Sequence, residues 1–195
     1  MTEYHFELPL SEEDVRKLKL GDIVYLNGIL YSGNYSGLVV KIIEAVKKGE
    51  KLPFDLKGAV YHYGATSSPR FQVPMPDLIK YTRIRGITGK GSVYKPVLDA
   101  MKTYGCVFLT LVAGSADYYR RPEMVGERVT TDFKDSHLIK QQAKNYGPLF
   151  VTMDAHGHSV ETEIDIEKKR TEIYKFLGVH DVKIPYHFYQ ETRHE

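Results

Sequence analysis

The segment Val93–Val112 reads VYKPVLDAMKTYGCVFLTLV. Val93, Val97 and Met101 recur at intervals of four residues, so they share one face of a helix. Gly105 follows and can leave the helix in a left-handed conformation, which makes it the stop. Cys106 to Val112 is then the most apolar run in the chain, of strand length. A helix that passes straight into a buried strand is the repeating element of α/β proteins.

The same alternation continues in both directions. Upstream, Ser11 with Glu12, Glu13 and Asp14 has the form of an N-cap and acidic first turn, opening a short helix through Leu18. Ile23–Leu26 and Ile29–Tyr31 read as strand, with a turn or bulge at Asn27-Gly28. Val39, Ile42, Ile43 and Val46 mark a helix from Ser36 that Gly49 ends. Gly58 to Tyr63 is a strand, a helix begins near Pro76 and ends before Gly86, and a short strand surrounds Ile87. Downstream, the pattern predicts a strand at Arg128–Thr131, a helix near Ser136–Lys144 and a strand at Leu149–Met153. A charged amphipathic helix over Asp165–Leu177 is closed by Gly178. The expected class is α/β, a mixed sheet with flanking helices, in one domain over residues 1–178 followed by a tail at 179–195. The tail holds His180, His187 and His194, whose spacing of seven matches no standard metal pattern and fits a partly ordered tail or a partner-covering arm.

Composition narrows the function classes. The chain has 195 residues, 42% hydrophobic and 27% charged, enough for a packed core, and its formal net charge is +2. That balance gives no electrostatic reason to expect nucleic acid or an anionic membrane as partner. The first ten residues lack the basic start and apolar core of a signal peptide, and no apolar run approaches the length of a bilayer span. A soluble, cytoplasmic protein is expected. Cys106 is the sole cysteine, so the chain by itself can form neither an internal disulfide nor a cysteine-ligated cluster.

Three loops, each following an expected strand, carry residues suited to anion chemistry. Open α/β sheets collect ligands at the carboxyl ends of their strands. In Gly64-Ala65-Thr66-Ser67-Ser68-Pro69-Arg70, three hydroxyls and a guanidinium lie within five residues. Hydroxyls can donate to a carboxylate, and arginine can grip one with two prongs. The same residues are ordinary in surface turns. In Thr88-Gly89-Lys90-Gly91-Ser92, glycines allow close backbone approach and Lys90 adds a charge or a proton donor. The glycine that a P-loop requires upstream is missing. In Asp154-Ala155-His156-Gly157-His158, an aspartate with two histidines suggests a metal or relay, and equally a hairpin turn. No third metal ligand is near, and no metal site is expected. Ser115 in Ala113-Gly114-Ser115-Ala116 lacks the second glycine of a nucleophile elbow. Together the loops describe an anion pocket without redox or metal chemistry of its own.

In this order the segments resemble the C-terminal domain of class I fumarases, found as the separate beta subunit of fumarate and tartrate dehydratases. The resemblance covers roughly Leu20 to Gly157. It includes Gly21-Asp22-Ile23-Val24-Tyr25-Leu26-Asn27-Gly28 leading into Tyr31-Ser32, and Leu52-Pro53-Phe54-Asp55-Leu56-Lys57-Gly58. The three loops and Val112-Ala113-Gly114-Ser115-Ala116 complete it. The resemblance implies a swivelling β/β/α domain that works at a junction with an iron–sulfur alpha subunit. That partner would carry the [4Fe–4S] cluster, and this chain no cofactor. The substrate would be a small dicarboxylate such as fumarate, malate or tartrate, and the assembly a homodimer or an alpha2-beta2 form. By similarity, Thr66, Ser67 and Ser68 would hydrogen-bond the substrate carboxylate, Arg70 would pair with it, and Gly89 would line the pocket. Lys90 would lie near the reacting centre, and Thr66 would be the base. Where the family carries a substrate-binding arginine, this chain has Asn34, which cannot supply the charge. Arg83 or Arg85 could substitute, the substrate could differ, or the chain could be a diverged, non-catalytic binding or assembly module.

Overall fold

The structure, a computed structural model, describes residues 1–33, 36–65, 68–111, 123–163, 166–176 and 178. Asn34, Thr66, Ser67, Ser115 and the tail histidines lie outside the described residues. The chain divides into two compact units, Met1–Ser159 and Val160–Glu195.

The first unit is a mixed α/β arrangement. Its elements are β1 (Glu3–Glu7), α1 (Glu12–Lys17), β2 (Ile23–Ser32), α2 (Ser36–Lys47), β3 (Val60–Ala65), α3 (Pro69–Gln72) and α4 (Met75–Thr82). They are followed by β4 (Gly86–Lys90), α5 (Lys95–Tyr104), β5 (Val107–Leu111), β6 (Met124–Phe133) and β7 (Ser136–Met153). Strands β1 to β5 run parallel to their neighbours in the order β1-β2-β3-β4-β5. The long β7 pairs antiparallel with β5, β6 and, on its other edge, β2. Because β2 already pairs with β3, the circuit β2-β3-β4-β5-β7 closes on itself.

That closure separates two cores. Inside it lie Val24, Leu26, Leu30, Val60, Val107, Leu109, Ala143, Leu149 and Val151, with Val15 of α1 and Leu18 just after that helix. On the outer face of the parallel strands, Tyr61, Tyr63, Ile87 and Phe108 meet Leu38, Val39 and Ile42 of α2, Leu78 and Ile79 of α4, and Val97 and Met101 of α5. A fully buried side chain of this size contributes roughly 1.5–3 kcal/mol of burial. The alternation of inward and outward residues along each parallel strand therefore holds α2, α4 and α5 outside the barrel.

Most of the expected elements are present: α2, β3, α4, β4, α5 and β5 fall where the periodicity places them. Asn27-Gly28 is a bulge within one strand, marked by register shifts against β7 and a φ of 116° at Gly28. Any Cβ at Gly28 would stand 2.8 Å from Leu8 Cβ, so the crossing of the β1–α1 segment requires glycine there.

The expected helix near Ser136–Lys144 is instead the first half of β7. Lys, Gln and Ala favour helix, but Ile139, Gln141 and Ala143 are buried at a spacing of two and face the barrel. Pairing on both edges overrides propensity here. The turn before it, Lys134-Asp135, has φ of 45° and 58°, the geometry of a two-residue hairpin loop.

The second unit contains α6 (Val160–Glu163) and α7 (Ile166–Phe176), the latter matching the expected charged helix. No helix among the described residues is long and apolar enough to cross a membrane.

Candidate active site

Strands β2, β3 and β4 point their carboxyl ends to one edge, and the predicted site residues follow or lie on those ends. Ser32 closes β2 two residues before Asn34, and Ala65 closes β3 immediately before Thr66. Gly89 and Lys90 are the last two residues of β4, a strand end where the sequence suggested a loop. Gly64 is in register with Gly89, and Ala65 with Lys90. The backbone entering the Thr66 loop therefore lies one strand spacing, about 4.8 Å, from Lys90.

The expected loop after Thr66 becomes helix within three residues. Ser68 is the N-cap of α3, and its carbonyl accepts from the Phe71 and Gln72 amides at 2.9 and 3.2 Å. Its hydroxyl makes no capping bond. Pro69 at the first helical position presets the turn. Arg70 is exposed, with its guanidinium 5.0 Å from the Phe71 ring centroid. Phe71 is buried against Tyr63 in an edge-on contact at 5.4 Å. The aromatic anchor fixes the helix, and Arg70 is exposed beside it, its planar donors suited to meeting an anion.

Gln72 joins the two loops, a role that nothing in the sequence signals. Buried to 2% exposure, its amide donates to the Ser92 carbonyl at 3.2 Å and accepts from the Tyr94 amide. The helix carrying Arg70 is thereby tied to the segment that follows Lys90. Gly91 has a φ of 89°, and α5 starts at Lys95, two residues later than the pattern suggested, with no acidic residue in its first turn.

Beneath this edge, His62 of β3 and Thr88 of β4 are in register, with Nδ1 and Oγ1 2.8 Å apart. Burial pushes the His62 imidazole down to about 4, so it is uncharged at neutral pH.

The third loop does not join the site. Met153 pairs with Phe108 near the start of β5, so Asp154–His158 lies at the opposite edge. It is a hairpin turn: Asp154 Oδ1 accepts from the His156 and His158 amides at 2.9 and 3.0 Å, and Oδ2 lies 2.9 Å from His158 Nδ1. Arg83 and Arg85 precede β4 and stand at that same opposite edge. Arg85 pairs with Glu12 at 3.0 Å and donates to the Tyr104 and Gly105 carbonyls, capping the end of α5. Both arginines therefore stand at the edge opposite the carboxyl end of β2.

Cys106 is buried, and that burial pushes its thiol up to about 12. Among the described residues, no three His, Cys, Asp or Glu side chains come together to hold a metal ion.

Residues 57–164 match the family model described as Fumarase C-terminus. The chain is 36% identical, over 91% of its length and the whole of the relative, to the "Putative L(+)-tartrate dehydratase subunit beta" of Methanocaldococcus jannaschii. It is 30% identical to the "Putative fumarate hydratase class I" of Geobacillus stearothermophilus, over 85% of this chain and 34% of that longer protein. With the L(+)-tartrate dehydratase subunit beta of Escherichia coli it shares 24% identity over 80% of this chain and 85% of the relative. The chain belongs to the class I fumarase and tartrate dehydratase beta family, whose C-terminal fumarase domain it carries.

Proposed function

We propose that this chain is the beta subunit of a hydro-lyase that adds water to, or removes it from, a small dicarboxylate, with fumarate, malate and tartrate as the candidates. The observation that carries the reading is the convergence at one sheet edge of Ser68, Arg70 and the Gly89–Lys90 strand end, tied by Gln72, in a member of this family. Ser68 and Arg70 offer neutral and charged donors to one carboxylate. Thr66 and Ser67 extend that donor set, Thr66 being the candidate base and Lys90 a cation near the reacting centre. The two-core layering supports a swivelling β/β/α domain that closes against an alpha subunit.

The partner is proposed to hold a [4Fe–4S] cluster, which supplies Lewis acidity toward a substrate hydroxyl and carboxylate. The cluster's cysteine ligands are proposed to come from that partner, since this chain has a single cysteine, which lies in the core. This chain's own residues bind, orient and exchange a proton with the acid. The expected setting is cytoplasmic, in a dimeric or alpha2-beta2 assembly.

The test is anaerobic reconstitution with an iron–sulfur alpha subunit and spectroscopic assay of fumarate, malate and tartrate. Turnover that is lost with Arg70→Ala and Thr66→Ala supports the subunit reading and the loop. Stable assembly with no turnover on any of the three acids counts against it. A specific observation favours a second reading, a diverged non-catalytic module: Asn34 stands at the arginine position, and Arg85 is occupied elsewhere. Assembly without turnover would be its signature.

A further inference from the structure

The interior of the barrel is layered by register. Leu30, Val60, Gly86 and Val107 form one level, and Ser32, His62, Thr88 and Leu109 form the next, toward the candidate site. On the parallel strands the first level is apolar. In the second, three neighbouring strands present polar side chains, at 1%, 2% and 0% exposure for Ser32, His62 and Thr88. Gln141 of β7, in register with Leu30, faces the same interior at 8% exposure, and its Oε1 has no hydrogen-bond partner among the described residues.

We propose that His62 and Thr88 are positioning residues that clamp the ends of β3 and β4, holding the loop after Ala65 and the residue Lys90 at the separation a small dicarboxylate requires. The inference rests on the hydro-lyase reading above.

Three features of the structure support it. The hydrogen bond between the two side chains crosses between strands at the last regular register pair. Directly beyond it the register shifts, because Tyr63 is an extra residue on β3 between the pairs His62↔Thr88 and Gly64↔Gly89. Bulges re-aim the chain and are frequent beside active sites, but they loosen the ladder. A side-chain bond at that point replaces the lost rigidity. Finally, branched apolar residues would fill these interior positions without the desolvation that a buried imidazole and hydroxyl carry. Along β2, β3 and β4 the exchange of apolar for polar is confined to the level adjoining the site, where orientation matters more than burial. An uncharged imidazole suits the role, since it can hold the hydroxyl without bringing a charge into the barrel.

The experiment compares Thr88→Val, Thr88→Ser, His62→Leu and His62→Asn. Valine keeps the shape of threonine without its hydroxyl, serine keeps the hydroxyl, and asparagine can place an amide near the Nδ1 position. In the reconstituted complex, Thr88→Val and His62→Leu should lower kcat/KM on the order of 10- to 100-fold, as misplaced binding groups do. Thr88→Ser and His62→Asn should stay near the wild type, and the double Thr88→Val/His62→Leu variant should be no worse than either single change.

Hydrogen exchange of the full chain gives a second readout. Protection of the Gly89 and Lys90 amides should fall about tenfold in Thr88→Val and return in Thr88→Ser, as loss of one hydrogen bond's stabilisation implies. Amides at Val60 and Gly86, the far ends of the same strands, should not change. Wild-type exchange at Gly89 and Lys90 in Thr88→Val overturns the clamp, and so does a lower Tm with unaltered kcat/KM and exchange. If the wild-type complex turns over none of the acids, the hydro-lyase reading fails on its own, and the exchange experiment still decides the clamp.

Discussion

Arg70 and Arg85 carry the same guanidinium in opposite environments. Arg85 is 9% exposed and held by Glu12 and two carbonyls, whereas Arg70 is exposed and, among the described residues, meets the Phe71 ring. Removing Arg70 should therefore leave stability within about 0.5 kcal/mol, as for an exposed side chain. If it grips a carboxylate in the assembled site, Arg70→Ala should raise KM at least tenfold, since losing one partner of a desolvated ion pair costs roughly 2–5 kcal/mol. Thermal melts and kinetics of the same preparation separate the two effects. His62 makes a prediction in pH. Its imidazole is depressed to about 4 in the fold from an ordinary 6.5, so below 6.5 the unfolded chain binds the proton that the folded chain refuses. Its contribution is complete above pH 6.5 and is lost as pH falls toward 4, amounting to about 3 kcal/mol over that window. Urea titrations at stepped pH should show this slope, and His62→Asn should flatten it.

At the scale of elements, β7 separates pattern from context. Its first half contains good helix formers, and a polar interior residue at Gln141 hides the alternation from a reader of the sequence. The hairpin that delivers it turns at Lys134-Asp135, both left-handed, while Lys134 also meets Glu50 at 2.5 Å. Replacing the exposed Asp135 by glycine removes the steric cost of its positive φ. The expected gain is about 0.5–1 kcal/mol, a rise in Tm of roughly 1–4 °C by calorimetry. Gln72 shows the limit of motif reading from the other side. Nothing in its neighbourhood marks it, because its importance lies in Ser92 and Tyr94, twenty residues away in sequence and adjacent in the fold.

At the scale of the whole molecule, the seam between β2 and β7 closes the barrel. Gly147 lies on that seam, where a Cβ would stand 2.6 Å from the Tyr25 ring and 2.7 Å from the Val24 carbonyl oxygen. The backbone oxygen cannot move aside as a flexible side chain would. Gly147→Ala should cost on the order of 1–3 kcal/mol, read as a lower urea midpoint. Local fraying alone, with the midpoint kept, would show that the seam is not part of the cooperative unit. The second unit leaves Ile173 and Phe176 of α7 exposed at 54% and 88%.

The sequence by itself determined the α/β class, the helices whose apolar residues recur at three and four, the buried Cys106 strand, and the family through the order of its segments. These are local or cumulative signals, carried by neighbours in the chain. It also named the residues that follow β3 and end β4. Only the tertiary structure decided which of the named groups meet. It joined Arg70 to the Lys90 strand end through Gln72, sent Asp154–His158 and Arg85 to the far edge, turned an apparent helix into β7, and aligned Ser32, His62 and Thr88 in one level. The reason is physical: register and barrel closure are set by pairing between strands far apart in sequence, and no local preference encodes the partner.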